Sequence, residues 1–161
     1  MRNKFLLLII LPFLLCCSSK EKSNLILFND ILFELKEHES IANIDTELKE
    51  EFHSYFTETP LQIPLYRCVK GKDYSVYIGI PFNTTLKRIG DAKTSQIKDP
   101  IQMTKDSNFF YAAYSKESKY VTEYIQKFDE NLIYLLTISN SPEKSNSIFN
   151  KEALSARFKE N

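Results

Sequence analysis

The thiols, imidazoles and carboxylates are the groups here with the most chemistry in reach. Cys16 and Cys17 stand side by side and Cys68 stands alone, so acylation, pairing or a reactive thiolate are all conceivable, but no spacing suits zinc. His38 and His53 lie 15 residues apart with no cysteine nearby, which excludes both zinc-finger and H-E-x-x-H patterns. Glu37-His38-Glu39 offers an acid and a base in sequence. Consecutive helical side chains diverge by roughly 100°, however, so the three cannot converge on one ion, and they read as a solvated helix end. Serine and lysine are plentiful, yet neither a G-x-S-x-G elbow nor a supported Ser-x-x-Lys constellation occurs.

The composition excludes further classes. Three glycines, at positions 71, 79 and 90, leave no room for a phosphate-cradling loop. The 161 residues carry 21 basic and 21 acidic side chains, which removes the basic footprint of a general nucleic-acid binder. The chain is long enough for one domain with a sizeable core. No metal, no cofactor and no catalytic residue is expected, and the chain is not expected to be an enzyme.

The first segment has an ordered structure of its own. Arg2 and Lys4 precede an 11-residue apolar run from Phe5 to Leu15, followed by Cys16-Cys17-Ser18-Ser19. This is the layout of a cleaved secretory signal. At ~1.5 Å per residue the run spans about half a hydrocarbon core, too little for a permanent membrane helix. Leu14-Leu15-Cys16-Cys17 resembles a bacterial lipobox, and relaxed lipoboxes in chains rich in Lys, Asn and Ile look like those of spirochaete lipoproteins. The resemblance implies a signal peptide over 1–16, a diacylglycerol thioether and palmitate-labelled N-terminus at Cys17, and a membrane-anchored location in the cell envelope, at the outer membrane rather than the inner. Cys17 is preferred over Cys16 because the residue before the cleaved bond is normally small. Cleavage there leaves 145 residues, with 19 basic against 21 acidic side chains and Cys68 as the remaining thiol. Cys68 lies in an apolar strand candidate and reads as a buried, inert thiol. Residues 17–24 read as the lipidated cysteine and a polar tether.

From Leu25 the spacing reads as helical: Leu25, Phe28, Leu32 and Leu35, then Ile41, Ile44, Leu48, Phe52 and Tyr55, recur at three and four. Helices are expected over about 25–39 and 45–56, the first open to a strand reading because it is apolar all round, within a helical segment 25–60. Residues 61–161 are expected to form an α+β domain packed with that segment as a single unit. Ile63–Val69 and Tyr74–Ile80 read as a hairpin. A short helix is expected over 82–90, ended by Gly90, and then a polar loop over 91–99. Strands are expected at about 101–104, 108–115, 119–128 and 132–139. The last is apolar on both faces, as in a central strand. Ser141-Pro142-Glu143 reads as the start of a C-terminal helix. The expected fold class is thus an antiparallel sheet packed against N-terminal helices and a C-terminal helix.

The segment Gly79-Ile80-Pro81-Phe82-Asn83-Thr84-Thr85-Leu86-Lys87-Arg88-Ile89-Gly90 resembles the opening of BamE (SmpA/OmlA) type outer-membrane lipoproteins. Tyr111-Ala112-Ala113-Tyr114 and Thr122 to Ile133 are similar to that family's closing strands. An antiparallel sheet finished by a helix is also similar to the PsbP/Mog1-like fold. Neither resemblance brings a catalytic residue; the first implies an accessory protein touching an outer-membrane assembly machine.

Nine Tyr and twelve Phe are the one compositional signal open to a functional reading. Tyr111, Tyr114, Tyr120 and Tyr124 cluster on two strands around the Ser115–Lys119 turn, and tyrosine is favoured at binding surfaces. This strand pair is the expected interaction face. The expected function is a non-catalytic protein-interaction or accessory module with a protein partner in the envelope; the alternative is a surface-exposed lipoprotein binding host molecules.

Overall fold

The computed structural model describes residues 24–27, 31–56, 63–141 and 149–160. The expected signal peptide, Cys16, Cys17, most of the tether and the Pro142-Glu143 helix start lie outside those residues. The fold is α+β. Seven antiparallel strands form the main sheet: β3 (Ser40–Ala42), β4 (Leu65–Lys70), β5 (Tyr74–Gly79), β6 (Gln102–Lys105), β7 (Phe109–Lys116), β8 (Lys119–Phe128) and β9 (Asn131–Ser139). Their spatial order is β3-β4-β5-β9-β8-β7-β6. A second sheet joins β1 (Asn24–Ile26), β2 (Ile31–Glu34) and β10 (Phe158–Glu160) in the order β1-β2-β10.

Period-two alternation divides the core into two layers. On one face Tyr77, Phe110, Val121, Ile125, Tyr134 and Leu136 pack against α1 (Thr46–His53), its 3-10 extension Ser54–Phe56, and α2 (Leu86–Gln96). On the other face Val76, Ile78, Tyr111, Tyr124, Ile133 and Leu135 pack against the small sheet and α3 (Lys151–Ser155). Strand β9 is buried from Leu132 to Ser139, as its two-sided apolar pattern predicts. The tight β7–β8 turn places Glu117 and Ser118 at φ of 51° and 63°, the left-handed conformation a two-residue hairpin turn demands.

Three expectations are corrected. Among the described residues of 25–39 no helix forms; they include strands β1 and β2. Ile31, Phe33 and Leu35 are buried while Leu32 and Glu34 are half-exposed, which is period two, and the short apolar runs suit strands better than one long amphipathic stripe. Of the two expected N-terminal helices the second is present among the described residues, capped by Asp45 accepting from the Leu48 amide at 2.9 Å. The short helix expected over 82–90 instead begins at Leu86, with Thr85 accepting from the Arg88 amide at 3.2 Å. It runs through Gly90 to Gln96, so most of the expected 91–99 loop is helix. Past residues 142–148, which lie outside the described residues, α3 starts at Lys151, where Asn150 accepts from the Ala153 amide at 2.8 Å.

Candidate binding cleft

Strand β8 places Glu123 between Val121 and Ile125 on the helix-covered face, where an apolar side chain would be the norm. Neighbouring strands supply its partners. Tyr114 of β7 donates to Oε1 at 2.6 Å and Tyr134 of β9 donates to Oε2 at 2.7 Å. From above, Lys93 of α2 reaches Oε2 at 2.8 Å. Lys93 occupies a buried position on the same helix face as Leu86, Ile89 and Gly90. Its Nζ also donates to the Tyr55 carbonyl at 2.9 Å and lies 4.1 Å from the Phe56 ring centroid. One ion pair thereby ties α2, the 3-10 turn and three strands together. Burial first, then the adjacent carboxylate, raises the Tyr114 and Tyr134 hydroxyls well above the usual tyrosine range, so both remain protonated donors.

The seam between the two helices opens above this network into a cleft of about 240 Å³. Its walls come from Ser54 and Tyr55, from Gln96 to Lys98 just past the end of α2, and from Tyr114 to Lys116 of β7, with Glu123 at the floor. Lys116 stacks 4.4 Å from the Tyr55 ring centroid and donates to the Ser54 carbonyl at 3.1 Å. Burial, followed by the fields of Glu51, Glu117 and Glu123, pushes the Tyr55 hydroxyl up to about 12.

A second charged cluster fastens the opposite face. Glu39, its side chain fully buried, pairs with Arg157 and accepts from the Tyr74 hydroxyl at 2.6 Å. Arg157 also donates through Nε and Nη2 to the Glu34 carbonyl at 3.0 and 2.9 Å and lies 4.1 Å over the Phe33 ring. The Glu37-His38-Glu39 triplet is therefore a turn between β2 and β3, and Glu39 is a structural anchor. His38 and His53 are exposed. Among the described residues no cluster suited to a metal ion occurs, and no helix is long and apolar enough to cross a membrane.

The expected tyrosine face is not presented to solvent: Tyr111, Tyr114, Tyr120 and Tyr124 are each at most 9% exposed. Period two splits them, too. Tyr114 faces the helices, whereas the other three pack beneath the small sheet, where Tyr124 stacks on Phe109 and Phe158. Cys68 is buried, as expected. The residues missed from sequence are Lys93, Glu123, Tyr55 and Gln96. Glu123 did leave a signal, as a charge at an inward position of an otherwise apolar strand, and Lys93 likewise continues the Leu86-Ile89 stripe.

No protein-family model and no curated protein matches the chain. A solved structure similar to it is that of cyanobacterial PsbP (CyanoP) from Synechocystis sp. PCC 6803, at 9% identity and a TM-score of 0.49, covering 83% of this chain and 88% of that one.

Proposed function

We propose that the chain is a lipid-anchored cell-envelope protein whose folded domain is a non-catalytic protein-interaction module. What carries the anchor is the N-terminal pattern ending at Cys17 together with where the first strand begins. Asn24 already pairs with Glu34 in the small sheet, so the tether between them is short. Six intervening residues span at most about 25 Å when extended, which holds the domain close to the bilayer.

The interaction reading is supported by an apolar groove of about 510 Å³ beside α1, lined by Phe56, Ile63, Leu65 and Phe82 with His53 and Lys49 at its rim. Phe82 is 52% exposed there, and large exposed aromatics beside apolar depressions mark contact sites. The non-catalytic reading is supported by Glu123, whose two oxygens already accept from three donors. On the BamE-like resemblance the partner is an outer-membrane assembly machine; on the alternative it is a host molecule.

Metabolic labelling with palmitate tests the anchor: label should enter the full chain, disappear in Cys17→Ala, and be reduced by a signal-peptidase II inhibitor. A mature protein that keeps Met1 would overturn it. Stable co-purification of an envelope protein, lost in Phe82→Ala, tests the module. Protease digestion of intact cells separates the alternatives, since a periplasm-facing domain is protected and a surface-facing one is cut.

A further inference from the structure

The cleft above the Lys93–Glu123 pair has three of its acceptor groups occupied and donors to spare. Glu123 is bonded by Lys93, Tyr114 and Tyr134, the Ser54 carbonyl by Lys116 and the Tyr55 carbonyl by Lys93. In contrast, the Gln96 amide nitrogen is buried without a hydrogen-bond partner. Buried polar atoms in native folds are nearly always satisfied, so an orphan donor calls for an acceptor from outside the chain, a water oxygen or a ligand atom. Exposed Lys98 lines the same cleft, and Lys116 uses one of its three ammonium protons on Ser54.

We propose that this cleft binds a small oxyanion, a carboxylate or phosphate group, gripped by the Gln96 amide and the Lys98 and Lys116 ammonium groups. The C-terminal end of α2 contributes about half a negative charge, against two full positive charges from Lys98 and Lys116. Of the three carboxylates that act on Tyr55, Glu123 is paired with Lys93 and Glu51 with Lys119 at 3.2 Å, leaving Glu117 on the exposed β7–β8 turn. A cationic ligand would meet Lys98 and Lys116 and find the Glu123 carboxylate and the Ser54 and Tyr55 carbonyls already bonded. The volume of about 240 Å³ admits a small organic acid or phosphate ester but no folded partner. The site is distinct from the apolar groove and does not depend on the lipid-anchor reading.

The test is an NMR titration of the detergent-purified, isotope-labelled full chain with inorganic phosphate and with succinate, each matched by sodium chloride of equal ionic strength. At least one of the two should move the Gln96 side-chain amide and the Ser115 and Lys116 backbone resonances saturably, with a midpoint of about 1 mM or below. Gln96→Leu and Lys98→Gln should each weaken that binding about tenfold, with the thermal midpoint little changed. Lys98 is exposed, so its variant tests binding free of any folding defect. Shifts that follow chloride equally, shifts spread over many lysines, or wild-type titration by both variants would overturn the proposal.

Discussion

Lys93 and Glu123 meet at 2.8 Å with only 1% of each side chain exposed, a fully desolvated ion pair at the junction of two helices and a sheet. Removing one partner of such a pair leaves a buried charge without its counter-charge, whereas removing both with apolar replacements of similar size is often tolerated. Lys93→Met should therefore destabilise the fold by about 3–5 kcal/mol, and Lys93→Met combined with Glu123→Leu should recover much of that. Urea denaturation of the two single variants and the double variant gives the coupling directly. A double variant as unstable as the sum of the singles would show that the pair acts independently.

The tyrosines once expected at a binding face should behave as core. Tyr124→Ala removes a side chain stacked between Phe109 and Phe158 and should cost about 3–5 kcal/mol, with Tyr111→Ala similar. Tyr114→Phe keeps the ring and deletes one donor to Glu123, for a loss of about 1.5–3 kcal/mol. Chemical denaturation checks all three; a Tyr124→Ala protein of native stability would place that ring at a surface.

Gly90 lies inside α2, and a Cβ there would come no closer than 3.4 Å to the Phe110 ring. Gly90→Ala should therefore raise stability by about 0.5–1 kcal/mol through helix propensity. Gly79 is the opposite case: a Cβ would lie 2.6 Å from Ile63 Cγ2 and 3.3 Å from the Pro64 carbonyl oxygen, so Gly79→Ala should destabilise by about 1–3 kcal/mol. Thermal melts of the two variants should move in opposite directions.

Burial pushes the Cys68 thiol up to about 11, so at pH 8 the native protein should hold almost no thiolate at this position. Iodoacetamide should label Cys68 slowly in the native protein and quickly in denaturant, read by mass spectrometry. Rapid native labelling would contradict its burial.

Glu51 is half-buried, and burial raises its pKa while hydrogen bonds from Tyr77 and Lys119 and the field of Lys119 lower it by more, for a net fall from the ordinary 4.5. A depressed folded-state pKa contributes stability that is present above the unfolded value and lost as pH falls through the folded one. Glu51→Gln should thus flatten the decline in stability below about pH 4.5, where wild type loses this contribution. An unchanged acid limb in denaturation experiments would assign the decline to other carboxylates.

Much of the main sheet is legible in the sequence because its strands alternate cleanly: Lys119–Phe128 is read to the residue, and Leu132–Ser139 shows its two-sided burial directly. The small sheet is not, since Leu25 to Leu35 carries apolar residues at spacings of two, three and four at once. Its identity is settled by β10, more than 120 residues away. Gly90 reads as a helix end for a different reason: one glycine costs a helix interior only about 1 kcal/mol, and the buried stripe of Leu86, Ile89 and Lys93 carries α2 through it. The cleft was hidden because its parts come from four elements, although Glu123 at an inward strand position is the kind of inconsistency that marks a polar network.

The pairing of Phe158 with Phe33 orders events in time. Strand β2 can find β1 as soon as both emerge on the side of the membrane where the chain folds, but its other edge stays open until the residues of β10 emerge, and Arg157 closes onto Glu34 and Glu39 at the same stage. Until then the apolar underside of the main sheet lacks part of its cover. The nascent chain thus passes through a long interval with an unpaired strand edge, when a chaperone or another nascent chain can compete for the place β10 will take.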